Sequence, residues 1–143
     1  QPRLLAVNNM LIVPVNAKAH VEYARQKGAA LWFVDELRQR GAAVVFGDEL
    51  ERLGKLAQAL FVSIDIDVFP AWIAPGVSAP GVGGLTDTEG REVARLAGLA
   101  PPCRVFELME LNPVYDQDAR TARLAVMLFA AFLSGLAQRS GRR

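Results

Sequence analysis

Cysteine and histidine are almost absent from this chain. One cysteine, Cys103, and one histidine, His20, occur in 143 residues. A single cysteine excludes an internal disulfide framework and every cysteine-based zinc cluster. A single histidine excludes any site that needs two histidines from this chain alone. Excess charge is missing too: 16 Lys+Arg stand against 15 Asp+Glu, a formal net charge of +1. That balance leaves no electrostatic footprint for nucleic acid and none for an anionic membrane. No basic segment, apolar run or cleavage site marks a secretory leader. The longest apolar run, Leu124 to Ala137, is about fourteen residues and is interrupted by Ser134 and Gly135. A membrane-spanning helix needs about twenty. The expected compartment is therefore the cytoplasm. The first residue is Gln1, not methionine, as in a processed chain or a piece of a longer protein.

What is present is a folded domain's composition. Hydrophobic residues make up 52% and charged residues 22%, which excludes intrinsic disorder. The length suits one domain or part of one. Strand-length and helix-length apolar segments alternate from end to end, the pattern of a single α/β unit. Strand character is expected within Leu4–Val7 and Met10–Val15. Asn16 can cap a helix from Ala17 to Lys27 that Gly28 stops. A short buried strand is expected at Ala30–Val34, then a helix from Asp35 to Arg40 closed by Gly41. Ala42–Phe46 is a brief apolar run, and Asp48–Ala59 is helical by period, with Leu50, Leu53, Leu56 and Leu60 on one side. Leu60–Ile66 is apolar on both faces, as a central parallel strand would be.

From Phe69 to Leu85 the chain holds four glycines and three prolines, including Pro75-Gly76 and Pro80-Gly81. Long irregular loops in compact domains are usually functional. Thr86-Asp87-Thr88-Glu89 is a capping box opening a helix to about Leu99. Pro101 and Pro102 end it. Arg104–Leu111 reads as a strand, Asn112 to Asp118 as a polar loop, and Ala119 to about Gln138 as a helix with a broad apolar face.

Chemistry concentrates at the ends of two strands. Asp65 and Asp67 close the run Ser63-Ile64-Asp65-Ile66-Asp67. If the strand continues through both, they share a face about 6.6 Å apart. Carboxylates so close repel unless a cation lies between them, and a hard divalent metal is the natural partner. The plainer alternative is one loop-capping aspartate and one solvated aspartate. Glu110 ends the second strand and can pair with a cationic substrate group, or can simply be solvated. His20 reads as a solvated helix histidine and Cys103 as a buried, inert thiol, with Arg104 the cation able to lower its pKa. Trp32 and Trp72 read as packing residues, Trp72 with a second option of lining the site. Arg120 and Arg123 read as helix N-terminal surface charges, with substrate carboxylates as the other option.

The ordered motifs Ser63-Ile64-Asp65-Ile66-Asp67, Ala74-Pro75-Gly76-Val77-Ser78-Ala79-Pro80, Gly84-Leu85-Thr86, Met109-Glu110-Leu111-Asn112-Pro113 and Thr121-Ala122-Arg123-Leu124-Ala125 resemble the C-terminal half of the ureohydrolase family. That family comprises arginase, agmatinase and formimidoylglutamase. Pro70-Ala71 stands where arginases and agmatinases carry Asp-Pro, so the resemblance is nearest to formimidoylglutamase. It implies a three-layer α/β/α fold with a mainly parallel sheet, incomplete at its N-terminal side, and residues 1–143 as the C-terminal portion of a single domain. It implies a binuclear manganese site in which Asp65 bridges the metals and Asp67 binds one of them. Glu110 would hold the amidine or guanidine of the substrate. N-formimidoyl-L-glutamate would give L-glutamate and formamide, with water activated by the metals as nucleophile.

The family's other metal ligands, a histidine after a glycine-rich turn and an Asp-x-His-x-Asp segment, do not occur here. Two aspartates cannot complete the site, so the chain alone is expected to bind metal poorly and to be inactive or nearly so. The absent strands would leave sheet uncovered and apolar surface exposed. A homo-oligomer is one option the family resemblance carries. Three alternatives stand beside this reading: an agmatinase or arginase-type guanidine hydrolase, a truncated relative acting as an interaction module, and an unrelated metal-dependent hydrolase.

Overall fold

The computed structural model describes residues 18–140. The strand character expected at Leu4–Val7 and Met10–Val15, and the Asn16 cap, lie outside those residues. Helices α1 (Lys18–Gln26), α2 (Val34–Arg40) and α3 (Ala42–Leu56) come first. Strand β1 (Leu60–Asp65), a 3-10 turn (Ile66–Val68), α4 (Asp87–Leu99), β2 (Cys103–Met109) and α5 (Arg120–Ser140) follow.

Local signals set most of these boundaries. Gly28, at φ +81°, lies just past the end of α1, where left-handed backbone favours glycine. Glu36 accepts the Phe33 N–H at 2.8 Å and so satisfies one free donor at the start of α2. Gly41, at φ +89°, separates α2 from α3. At α4 the capping box forms as the sequence spells it. Thr86 Oγ1 accepts from Glu89 N at 3.2 Å, and Glu89 Oε2 accepts from Thr86 N at 2.7 Å. Thr86→Ala is expected to cost about 1 kcal/mol and to lower Tm by about 4 °C in a thermal melt.

Two expected elements differ. Ala30–Val34 is not a strand: residues 29–33 are irregular and Val34 opens α2. An isolated strand has unpaired backbone groups, and among the described residues only β1 and β2 form a sheet. Helix α3 starts at Ala42, six residues before the expected Asp48. The apolar run Ala42–Phe46 is its first turn, because Ala42, Val45, Glu49, Leu50 and Leu53 follow helical spacing into the core. Leu56 is exposed, and Leu60 belongs to β1, so neither joins that stripe.

Strands β1 and β2 are parallel, with Val62 beside Phe106, Ile64 beside Leu108 and Asp65 beside Met109. Leu60, Val62 and Ile64 are buried while Phe61, Ser63 and Asp65 are exposed. The expected burial of both faces of β1 is therefore not met among the described residues. Phe61, Val105 and Met109 are each at least 40% exposed. The helical layer over the buried face uses Val93, Ala94 and Ala97 of α4 and Leu124 and Leu128 of α5. Phe106 of β2 stacks on Phe132 of α5 with ring centroids 4.2 Å apart. This is an incomplete α/β/α unit with a parallel sheet.

Helix α5 is longer than its apolar run. Over Arg120–Arg139 it is long and apolar enough to cross a membrane by length and composition. The fourteen-residue run therefore understated it. In this fold it packs along α4, and the two backbones touch at Gly98 and Gly135. Its Val126, Met127, Phe129 and Leu133 remain exposed.

Candidate active site

The site lies where β1 and β2 end. Strand β1 stops at Asp65, and Asp67 sits in the following 3-10 turn. The extended spacing of 6.6 Å along a strand therefore does not apply to this pair. The turn has a packing cause. Ile66 and Phe69 are both fully buried, and a spacing of three sends both inward only if the chain coils. Gly84 locks the turn from the other side: a Cβ there would lie 2.0 Å from the Val68 carbonyl oxygen. The Leu85 N–H donates to that same oxygen at 3.0 Å.

Asp65 is exposed and accepts a hydrogen bond from Ser63 Oγ at 3.3 Å. Asp67 is half-buried. Burial, then the charges of Asp65 and of Glu110, push its carboxyl above the usual aspartate range. The charges of Asp65 and Glu110 thus act on Asp67 near the ends of β1 and β2. Among the described residues none of the three forms an ion pair. Concentrated negative charge without a counter-ion fits a hard divalent cation or a cationic substrate group. The ligand set is partial, since no cluster of three or more His, Cys, Asp or Glu able to hold a metal occurs among the described residues. Asp65 and Asp67 are the residues able to contribute to one.

Glu110 carries a second signal. Its φ is +68°, in the left-handed region that a residue with a Cβ seldom occupies. Such strain costs about 1 kcal/mol or more and persists only where the surroundings enforce it. The enforcing contacts come from the loop expected to be functional. Leu111 bridges Val77, and Asn112 N donates to Gly76 O at 2.8 Å. Asn112 Nδ2 reaches Ser78 Oγ at 3.4 Å. Residues 69–85 are irregular but tied down.

Sequence reasoning passed over Asp116, which it placed in a polar loop. Its carboxylate accepts from Gln117 N and Thr121 N at 2.9 Å each and from Ala122 N at 3.0 Å. The signal was local: an acid four residues before a helix start can serve free N–H groups. Desolvation opposes its charge, but the Thr121 and Ala122 N–H groups, the Thr121 hydroxyl and the Gln117 N–H prevail and hold its carboxyl below the usual range. A depressed folded pKa stabilises above the unfolded value of about 3.9, and that contribution is lost as pH falls through the folded value. Wild type should therefore exceed Asp116→Asn in urea-melt stability at neutral pH, and the gap should close below about pH 4.

The remaining candidates resolve simply. His20 is exposed on α1. Cys103 is buried and its thiol is pushed up by burial, with Arg139, not Arg104, as the opposing cation. Trp32 packs under Arg40, whose guanidinium lies 4.7 Å from the ring centroid, and its Nε1 donates to Glu49 Oε1 at 3.4 Å. Trp72 is 64% exposed, so packing does not explain it. Its carbonyl accepts from Arg120 Nη1 at 3.1 Å. Arg123 donates to the Asp118 carbonyl. Both arginines therefore tie loop backbone near the start of α5.

Comparison with known proteins extends this geometry. The family model for the arginase family matches residues 6–134. A formimidoylglutamase of Vibrio parahaemolyticus is 39% identical over 85 residues, 59% of this chain and 25% of that protein. A crystal structure of Trypanosoma cruzi formiminoglutamase with Mn2+ superposes with a TM-score of 0.80 at 32% identity, covering 86% of this chain and 41% of that one. The native arginase of Bacillus caldovelox gives 0.79 at 28% identity, covering 88% and 42%. The aligned part is thus less than half the length of each of these relatives.

Proposed function

Because the chain belongs to the arginase family, we propose that residues 1–143 are the C-terminal portion of a ureohydrolase domain that hydrolyses a linear amidine C–N bond. The proposed substrate is N-formimidoyl-L-glutamate. Water oxygen adds to the amidine carbon, the bond from that carbon to the glutamate nitrogen breaks, and the nitrogen leaves protonated as L-glutamate with formamide as co-product. The observation that carries this reading is the convergence of Asp65, Asp67 and Glu110 at one strand rim without a counter-ion among the described residues.

Asp65 and Asp67 would hold manganese through their carboxylate oxygens as part of its ligand set. When bound, such ions supply Lewis-acid activation of water. Further ligands would have to come from outside the described residues. Glu110 receives the amidinium N–H groups in charge-assisted hydrogen bonds and orients the carbon toward the nucleophile. Its left-handed backbone supports this role, because strain of that kind concentrates at functional positions. Among the relatives compared, those named formimidoylglutamase or formiminoglutamase favour an amidine substrate. The arginase similarity keeps a guanidine substrate as the second reading. The exposed sheet face at Phe61, Val105 and Met109 supports a third, a non-catalytic interaction module. The cytoplasm is the proposed compartment, with neither nucleic acid nor membrane as partner.

Joining this chain to the preceding portion of the Vibrio parahaemolyticus relative tests the activity. The fusion should release formamide from N-formimidoyl-L-glutamate only with Mn2+ present. Turnover of arginine or agmatine in its place would support the guanidine reading. Turnover of none by a folded fusion would leave the interaction module.

A further inference from the structure

We propose that Thr121 is a positioning residue for Glu110, acting through Gly76 and Asn112. Thr121 is fully buried although its side chain is polar. Its Oγ1 accepts the Gly76 N–H at 2.7 Å. The carbonyl of Gly76 accepts the Asn112 N–H at 2.8 Å. Val77, next after Gly76, bridges Leu111, which directly follows Glu110. One hydroxyl on α5 is thereby linked, through a single loop residue, to the backbone that holds Glu110 at φ +68°.

Both ends of the linkage are constrained. A Cβ at Gly76 would lie 2.6 Å from the Asp116 Cβ and 2.8 Å from its Cα, so only glycine lets the loop approach the segment before α5 this closely. Asp116 in turn fixes the Thr121 backbone by accepting its N–H at 2.9 Å. A threonine serving only to fill space would be matched by valine. A hydroxyl that satisfies a buried N–H is not, because its removal leaves that donor unpaired. The strained Glu110 backbone needs such over-determination, since a free residue with a Cβ would relax from the left-handed region.

This inference deepens the proposed function, on which Glu110's purpose rests, but its geometric content is independent of activity. The test is nuclear magnetic resonance on the isotope-labelled full chain, as wild type and as Thr121→Ser, Thr121→Val and Thr121→Ala. Wild type and Thr121→Ser should show the left-handed signature at Glu110, a strong intraresidue HN–Hα NOE with matching Cα and Cβ shifts. Thr121→Val and Thr121→Ala should lose it. In both, amide exchange at Asn112 should quicken about tenfold or more, while Val93 in α4 keeps its wild-type rate. A folded Thr121→Val or Thr121→Ala chain that retains the Glu110 signature would overturn the proposal. So would unfolding of both, or acceleration of Val93 along with Asn112, which would assign the hydroxyl to global stability. A chain found to lack hydrolase activity would leave this result untouched, and a Glu110 indifferent to Thr121 would leave the hydrolase reading standing.

Discussion

Gly98→Ala is expected to lower the melting temperature by up to about 8 °C, a large effect for one methyl group. Helices α4 and α5 touch backbone to backbone. A Cβ at Gly98 would lie 2.1 Å from the Phe132 carbonyl oxygen and 2.9 Å from Leu136 N. Gly135 faces α4 in the same way, with a Cβ 2.1 Å from the Arg95 carbonyl oxygen. Backbone cannot swing aside as a long side chain can, so the helices must separate. Separation loosens the Phe106–Phe132 stack and the seat of Leu128 against the core. Overpacking of this kind costs about 1–3 kcal/mol and occasionally more. The gain in helix propensity from glycine to alanine returns only about 1 kcal/mol. Gly47→Ala in α3 is the control, because a Cβ there meets nothing within 4 Å. It should leave stability unchanged or raise it slightly. Equal melting temperatures for the two variants would contradict the close helix crossing.

The second large effect falls on the acids at the strand rim. In the fusion described above, Asp67→Asn and Glu110→Gln should each lower kcat/KM by about 10²–10³-fold. The two losses should differ in kind. Asp67→Asn removes negative charge from a cation seat, so raising the Mn2+ concentration should recover part of the activity. Glu110→Gln removes the counter-charge of the substrate amidinium, so added Mn2+ should recover none. Steady-state kinetics across a Mn2+ series separates these cases. Loss in both variants that responds identically to Mn2+ would refute the division of roles between Asp67 and Glu110.

Legibility of the fold followed how local each cause is. The α4 start was readable because Thr86 and Glu89 lie three residues apart and act on each other's backbone. The Gly28 and Gly41 breaks were readable for the same reason. Ala30–Val34 looked like a strand by composition, but composition cannot supply the neighbouring strand a ladder requires. The apolar run Ala42–Phe46 was ambiguous by length, and only Glu49, Leu50 and Leu53 further on reveal the helical stripe. The acids at the rim are legible in the sequence as candidates, but their geometry is not. Asp67 leaves the strand because Ile66 and Phe69 are both pulled into the core, a tertiary demand absent from the i, i+2 rule. The link from Thr121 through Gly76 to Asn112 spans 45 residues in its first hydrogen bond alone. No local pattern announces such a contact.

The most direct test of the central claim is Mn2+ binding by this chain, followed by electron paramagnetic resonance of the free aqueous ion. If Asp65 and Asp67 form part of a cation seat, wild type should bind Mn2+ weakly, with Kd about 10⁻³ M as suits a partial oxygen ligand set. The Asp65→Asn/Asp67→Asn double variant should leave the free-ion signal at its protein-free intensity. A double variant that binds as wild type does, or a wild type that leaves the signal unchanged, would contradict the carboxylate pair as a metal seat.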